Sequence, residues 1–267
     1  MTLPSLQETS IRAAVKNLRF GRNFIYRRSV KSTNDLAKTN ALKGNPIPLV
    51  VTADEQTRGK GRMTRNWYSP RNKCILLTIV FPESPDDFKF GHYNFLVSLV
   101  IASAVESTAG LTVSFKWPND ILIGGKKICG TLSELITIED GKQLIVTGMG
   151  LNVNIERNEF PEDIRDKATS LSIETGSIVD REKLFTDVIR TLNTLYSIWE
   201  NRGIEPLFQQ WMQKCSTVGK NVVIRTEKHY IDVLAEGINQ DGSLILKDDA
   251  GKLHTIYAGD LEYVIND

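Results

Sequence analysis

The sequence predicts an α+β fold followed by a small all-β unit, and three observations carry that reading. Apolar, β-branched runs such as residues 74–81 and 143–155 alternate with long helical patterns. A glycine pair, Gly124 and Gly125, separates two strand-like runs and marks a hairpin. From Val218 the helical pattern gives way to short strands broken by Asp241-Gly242, Ala250-Gly251 and Gly259-Asp260. The expected division is therefore 1–217 and 218–267.

The elements follow in order. Residues 3–18 read as a first helix, with Leu6, Ile11, Val15 and Leu18 toward one side. Residues 24–26 read as a strand. Ser32, with Asp35 three positions on, resembles a capping box that opens a helix over 33–42. Ser32 is a good N-cap whatever else it does, yet a helix start with Ser32, Thr33 and Asn34 is also a small polar pocket. Residues 48–51 and 74–81 read as buried strands, and 93–109 as a buried helix closed by Gly110. The hairpin about Gly124-Gly125 is followed by strands over 132–138 and 143–155. Gly148 and Gly150 weaken the last strand unless something approaches its backbone, either a ligand or a bulge. Asp180 caps an amphipathic helix to Asn201, and Pro206 opens another; their aromatics read as core. The C-terminal strands are expected at 222–225, 230–236, 244–246, 253–257 and 261–265.

Bulk numbers narrow the function. Hydrophobic content of 41% supports a sizeable core, and no apolar stretch reaches membrane-spanning length. The net charge of +1, from 33 basic and 32 acidic residues, gives no general attraction to DNA or an anionic membrane. Cys74, Cys129 and Cys215 have no metal spacing, which with no signal peptide points to a reduced, cytoplasmic setting. His92, His229 and His254 are far apart and give no support to a nucleophile–base pair.

The chemistry concentrates in residues 52–70. Arg58, Lys60, Arg62 and Arg65 fall within eight positions, with Gly59 and Gly61 interleaved and Trp67 and Tyr68 following. Such a loop brings backbone N–H groups and guanidinium forks to one point, which suits paired anions. A solvated basic loop and an RNA contact are the other readings of the loop alone. It is neither a dinucleotide fingerprint nor a P-loop.

The order of motifs resembles the biotin protein ligases. Gln56-x-x-Gly59-Lys60-Gly61-Arg62-x-x-Arg65-x-Trp67 is similar to their basic loop, and Lys116-Trp117-Pro118-Asn119-Asp120 is their KWPND motif unaltered. Lys127-x-x-Gly130-x-Leu132-x-Glu134, Gly148-x-Gly150-x-Asn152 and Ser32-Thr33-Asn34 match three more. The resemblance implies a mixed, largely antiparallel sheet with packed helices, like the class II aminoacyl-tRNA synthetases, and a C-terminal SH3-like barrel. It implies activation of biotin by ATP, with Mg²⁺, as biotinyl-5′-AMP. The biotinyl group then passes to a lysine of a biotin carboxyl carrier protein, such as an acetyl-CoA carboxylase subunit. No tightly held prosthetic group is implied.

The same resemblance assigns residues. Ser32, Thr33, Asn34 and Gln56 would bind biotin, with Lys60, Gly61 and Arg62 closing over its carboxylate and Lys127 touching the reacting carboxyl. Arg62 and Lys127 would be the catalytic pair. Arg62, Arg65, Trp67, Lys116, Asn119 and Asn152 would hold ATP, and Asp120 the metal. With about thirty residues before Ser32, the chain resembles the monofunctional type, expected to bind no DNA; a homodimer is one option for its assembly. Two positions depart from the pattern: Lys60 stands where arginine is usual, and Thr64 where glycine is usual. If position 64 needs a positive φ, threonine there is strained.

Overall fold

The computed structural model describes residues 3–63, 65–82, 89–139, 141–225, 230–257 and 259–263. Seven strands make the main sheet: β1 (Phe24–Arg27), β2 (Leu49–Ala53), β3 (Cys74–Val80), β4 (Ser114–Lys116), β5 (Asp120–Ile123), β6 (Lys126–Thr137) and β7 (Gln143–Asn152). Their order is β1-β2-β3-β7-β6-β5-β4. The β1–β2 pair is parallel and the other pairs are antiparallel.

The strand period of two divides each strand between two environments. Ile75, Leu77 and Ile79 of β3 and Ile145, Met149 and Leu151 of β7 join the main core, together with Tyr93, Leu96, Phe185, Trp199 and Trp211. That core includes α1 (Glu8–Val15), α3 (Phe90–Ala109), α5 (Arg181–Arg202) and α6 (Glu205–Lys214). The opposite face is covered in patches. The helix α2 (Thr33–Leu42) sets Ala37 and Ala41 on Leu49, Val51, Val80, Leu144 and Val146. Farther along, Trp67, Tyr68 and Phe160 pack near Cys74, Leu76 and Ile155. Each fully buried aliphatic or aromatic side chain contributes roughly 1.5–3 kcal/mol. The stretch between the patches is where polar side chains gather.

The helix boundaries follow local chemistry. Ser32 Oγ accepts the Asp35 N–H at the start of α2, but the Asp35 carboxylate turns to Lys60 and Lys38 instead of closing a capping box. Asp180 accepts the Glu182 and Lys183 N–H groups at the start of α5, and Gly110, at φ 67°, ends α3. The expected first helix over 3–18 contracts to Glu8–Val15 with a 3₁₀ turn at Arg19–Gly21. Its first residues are pulled straight by long-range bonds: Leu6 N–H to Asp54, Arg181 to the Pro4 carbonyl, and Asn72 to the Leu3 carbonyl. The two strands expected at 126–130 and 132–138 are one, because Gly130 and Thr131 stay in register with Gly150 and Met149. β7 stops at Asn152 because the Val153 and Asn154 N–H groups turn to the Lys73 carbonyl. A short helix, α4 (Leu171–Thr175), lies in a segment whose sequence gave no expectation.

A second, five-stranded antiparallel sheet follows: β8 (Asn221–Arg225), β9 (Tyr230–Ile238), β10 (Leu244–Lys247), β11 (Leu253–Ile256) and β12 (Asp260–Tyr263). Its order is β11-β10-β9-β8-β12. The end of the last expected strand, at 264–265, lies outside the described residues. The turn between β9 and β10 touches the rest of the chain through Trp117, whose indole N–H donates to the Gly242 carbonyl at 2.8 Å, and through Gly91 of α3, where no side chain fits against Asp241 and Gly242.

Candidate active site

Two groups of side chains meet on the less covered face of the sheet. The first is at the start of α2. Gln56 Oε1 accepts from the Thr33 N–H at 2.7 Å and lies 2.9 Å from Thr33 Oγ1. Thr78 Oγ1, from the middle of β3, stands 2.8 Å from Thr33 Oγ1 and 2.7 Å from Asn34 Oδ1. The Asn34 amide donates to Glu134 Oε2 at 2.8 Å, and Lys38 holds Glu134 Oε1 at 2.7 Å. Burial opposes the charge of Lys38, but Glu134 and Asp35 outweigh it and hold its pKa above the usual lysine value. Ser32 is buried as the cap.

The second group is a ring of charge. Residues 59–61 and 65–67 pair tightly, as the two arms of a hairpin, with Gly61 N–H to the Arg65 carbonyl at 2.7 Å and Trp67 N–H to the Gly59 carbonyl at 2.9 Å. Gly59 is required there, since a Cβ would lie 2.5 Å from the Trp67 carbonyl oxygen. The hairpin carries Arg62 to Asn119, which accepts at 3.2 Å. The next residue, Asp120, holds Lys127 Nζ at 2.5 Å, and that ammonium also sits 5.4 Å from the centre of the Trp67 ring. Such a cation over an indole gains about 0.5–2 kcal/mol. The turn through the cis peptide Trp117–Pro118 is pinned by Trp117 N–H to Thr217 Oγ1 and by the Asn119 amide to the Thr131 carbonyl. Lys127 is fixed by its own backbone, bonded to Lys167 O and Thr169 N.

The glycines of β6 and β7 join the two groups. Neither a bulge nor a bare strand explains them, because the ladder from Cys74–Asn152 to Val80–Val146 runs without a shift. Instead protein side chains lie on them: an added Cβ at Gly148 would strike the Asn34 amide, and one at Gly150 the Trp67 indole. At Gly130 it would come within 3.0 Å of Lys127 Cε. The Trp67 indole N–H is buried with no hydrogen-bond partner. A buried donor of this kind is what a ligand acceptor would satisfy.

Other expected residues have their own surroundings. Lys60 pairs with Asp35 at 2.6 Å. Arg65 is exposed and Lys116 half-buried. Asn152 is buried, and its amide donates to the Thr169 carbonyl, so it holds the segment that flanks Lys127. Thr64 lies outside the described residues; in the loop, positive φ appears at Met63, at 51°. Sequence reasoning passed over Thr78, although a lone polar residue in the run CILLTIVF was the signal. It also passed over Glu134 as a site residue and the buried Asp54–Arg181 pair.

No protein nucleophile is in evidence among these groups. Burial pushes the Cys74 thiol up to about 12 and raises those of Cys129 and Cys215. Among the described residues no three His, Cys, Asp or Glu side chains cluster as metal ligands. In the second group Asp120 offers a carboxylate, which fits a magnesium ion that brings most of its ligands as water and phosphate oxygens.

Comparison with known proteins places this arrangement in a known class of ligase. Residues 26–152 match the Biotin/lipoate A/B protein ligase family and residues 217–262 the Biotin protein ligase C terminal domain. The bifunctional ligase/repressor BirA of Bacillus subtilis is 33% identical over 258 residues, 96% of this chain and 79% of that protein. The biotin–[acetyl-CoA-carboxylase] ligase of Paracoccus denitrificans is 27% identical, covering 81% and 95%. The structure of the Aquifex aeolicus biotin protein ligase in complex with biotin and ATP superimposes with a TM-score of 0.77 at 25% identity, covering 92% of this chain and all of that one. The chain belongs to the biotin/lipoate A/B protein ligase family, within which it is a biotin protein ligase. It is thus a ligase, and no described helix is long and apolar enough to cross a membrane.

Proposed function

We propose that this chain joins biotin to ATP as biotinyl-5′-adenylate and passes the biotinyl group to a lysine of a biotin carboxyl carrier protein. The observation that carries this is the ring of Arg62, Asn119, Asp120, Lys127 and Trp67 beside the polar group at Thr33, Asn34 and Gln56. In the first step a carboxylate oxygen of biotin attacks the α-phosphorus of ATP, a C(O)–O–P bond forms, and pyrophosphate leaves. Two anions must approach, so positioning and charge neutralisation do most of the work. Lys127 and Arg62 supply the positive charge, the Trp67 indole offers a face and a donor to the nucleotide, and Lys116 and Arg65 would add charge for the phosphates. Magnesium, held by Asp120 with phosphate oxygens, would add charge neutralisation when bound. In the second step the acceptor lysine, as a neutral amine, attacks the anhydride carbonyl and AMP leaves. The Aquifex relative's complex with biotin and ATP supports this reading.

The group at Thr33, Asn34 and Gln56 favours biotin over lipoate, because its hydroxyl and amide groups could hydrogen-bond a polar ring that lipoate lacks. By its contacts with Trp117 the C-terminal sheet steadies the turn that carries Asn119 and Asp120. Incubating the protein with biotin, ATP, magnesium and an apo carrier domain, then probing with streptavidin, tests the reading. We expect labelling that depends on ATP and on the carrier lysine; labelling absent with all components present would overturn it.

A further inference from the structure

The hydrogen bonds at the start of α2 do not balance. Four oxygens stand in a row, Gln56 Oε1, Thr33 Oγ1, Thr78 Oγ1 and Asn34 Oδ1, with contacts of 2.9, 2.8 and 2.7 Å between neighbours. Three contacts need three hydrogens. The row owns two, one on each threonine hydroxyl, since an amide oxygen only accepts. Gln56 cannot turn its amide round, because its oxygen already receives the Thr33 N–H. Asn34 could cure the shortage by turning its NH₂ toward Thr78. Glu134 prevents it, with a longer contact from the Leu132 carbonyl: both oxygens only accept, so they demand the Asn34 NH₂, which donates to Glu134 at 2.8 Å and lies 3.4 Å from Leu132 O. Lys38, at 2.7 Å from the other carboxylate oxygen, completes the constraint.

We propose that Glu134, anchored by Lys38, is a positioning residue that sets the hydrogen-bond polarity of this site, leaving a row of oxygens one hydrogen short that selects a ligand head donating an N–H. Gln56 is partly exposed and Thr33 and Asn34 are 3% and 5% exposed, so a ligand meets the row through these three, whereas Thr78 is sealed and acts through them. A donor from the ligand satisfies the oxygen of the row that no protein hydrogen reaches. A head without one leaves that oxygen unsatisfied, and buried polar atoms so left are costly. The inference rests on biotin, whose ring carries N–H groups, being the ligand.

The substitution Glu134→Gln tests it because the new side chain has the same shape and the opposite logic. Lys38 cannot accept a hydrogen, so it must take the Gln oxygen. The Gln NH₂ then faces Asn34, which must turn its own oxygen to meet it. The Asn34 NH₂ now donates to Thr78, Thr78 to Thr33, and Thr33 to Gln56. Asn34 gives up its 3.4 Å contact with the Leu132 carbonyl, but every contact in the row has its hydrogen, and the site no longer wants one from a ligand. We expect biotin to bind E134Q about tenfold to a hundredfold more weakly by calorimetry, with ATP affinity kept. Adding Lys38→Met frees the Gln oxygen to face Asn34. The double variant K38M/E134Q should therefore return to within about threefold of K38M alone, which damage to packing would not do. Biotin affinity unchanged in E134Q, or not restored in the double variant, would overturn the inference. Wild-type protein that fails to bind biotin would instead overturn the proposed function beneath it.

Discussion

Asp54 and Asp120 each hold a cation, Arg181 at 2.7 Å and Lys127 at 2.5 Å, yet they belong to different worlds. Asp54 and Arg181 are 0% and 5% exposed. Asp54 also accepts from the Leu6 N–H and the Tyr26 hydroxyl, and Arg181 donates to the Cys74 and Pro4 carbonyls. Burial, with the Asp54 bond next, pushes the Tyr26 hydroxyl up to about 12. This pair ties the N-terminal segment, β1, β2, β3 and α5 together and leaves little free for a ligand. Lys127 and Asp120 are 32% and 25% exposed, rest against Trp67 and Gly130, and can exchange partners. A third pair, Lys60 and Asp35, is 45% and 42% exposed. The same chemistry grades from structural lock to working site to surface latch as water gains access, because screening and desolvation set what a charge pair is worth.

The largest effect should come from breaking the sealed pair. Arg181→Met leaves Asp54 charged and buried, and should cost about 3–5 kcal/mol of stability in urea unfolding. The fraction still folded should form adenylate at the normal rate. A loss under about 1 kcal/mol would show that water reaches Asp54 and would erase the contrast.

At Lys127 the balance should reverse. Lys127→Ala should slow adenylate formation, followed by pyrophosphate release, by about 10²–10³-fold, since its charge counts most where negative charge builds up. Stability should fall by no more than about 1 kcal/mol and biotin affinity should change far less than turnover. An unchanged turnover number would move Lys127 out of the reacting centre.

The smallest effect is expected at the latch. Burial would raise the Asp35 pKa, but the hydrogen bond and charge of Lys60, with Lys38, outweigh it and hold it below the ordinary 3.8. A carboxyl depressed in the folded state adds stability that is present above its unfolded pKa and lost as pH falls through the lower folded value. Wild type should therefore lose its small advantage over Asp35→Asn only below about pH 4, and raised salt should shrink the difference at neutral pH. An advantage that survives in high salt would mean the latch is far less solvated than its exposure indicates.

Much of the site was legible because it is local in sequence. The loop at 56–67, the turn at 116–120 and the start of α2 each carry their chemistry within a dozen residues, and caps at Ser32 and Asp180 follow from short-range backbone needs. The boundaries that slipped were set at long range. Leu6 is drawn to Asp54 across 48 positions and Arg181 to Asp54 across 127, so the first helix could not keep its expected length. The roles of Gly148 and Gly150 also needed the fold, since only strand register shows that Asn34 and Trp67 lie on them.

By itself the sequence determined which residue types could meet two anions and which segments would be strands or helices, because periodicity and cation–glycine loops act over a few residues. Only the tertiary structure decided that Asn152 holds the wall beside Lys127, that Lys60 turns to Asp35, and that Glu134 dictates which way Asn34 faces. Those outcomes depend on how many hydrogens and charges converge at one point, a balance of partners from β2, β3, β6 and α2 that no single stretch of chain contains.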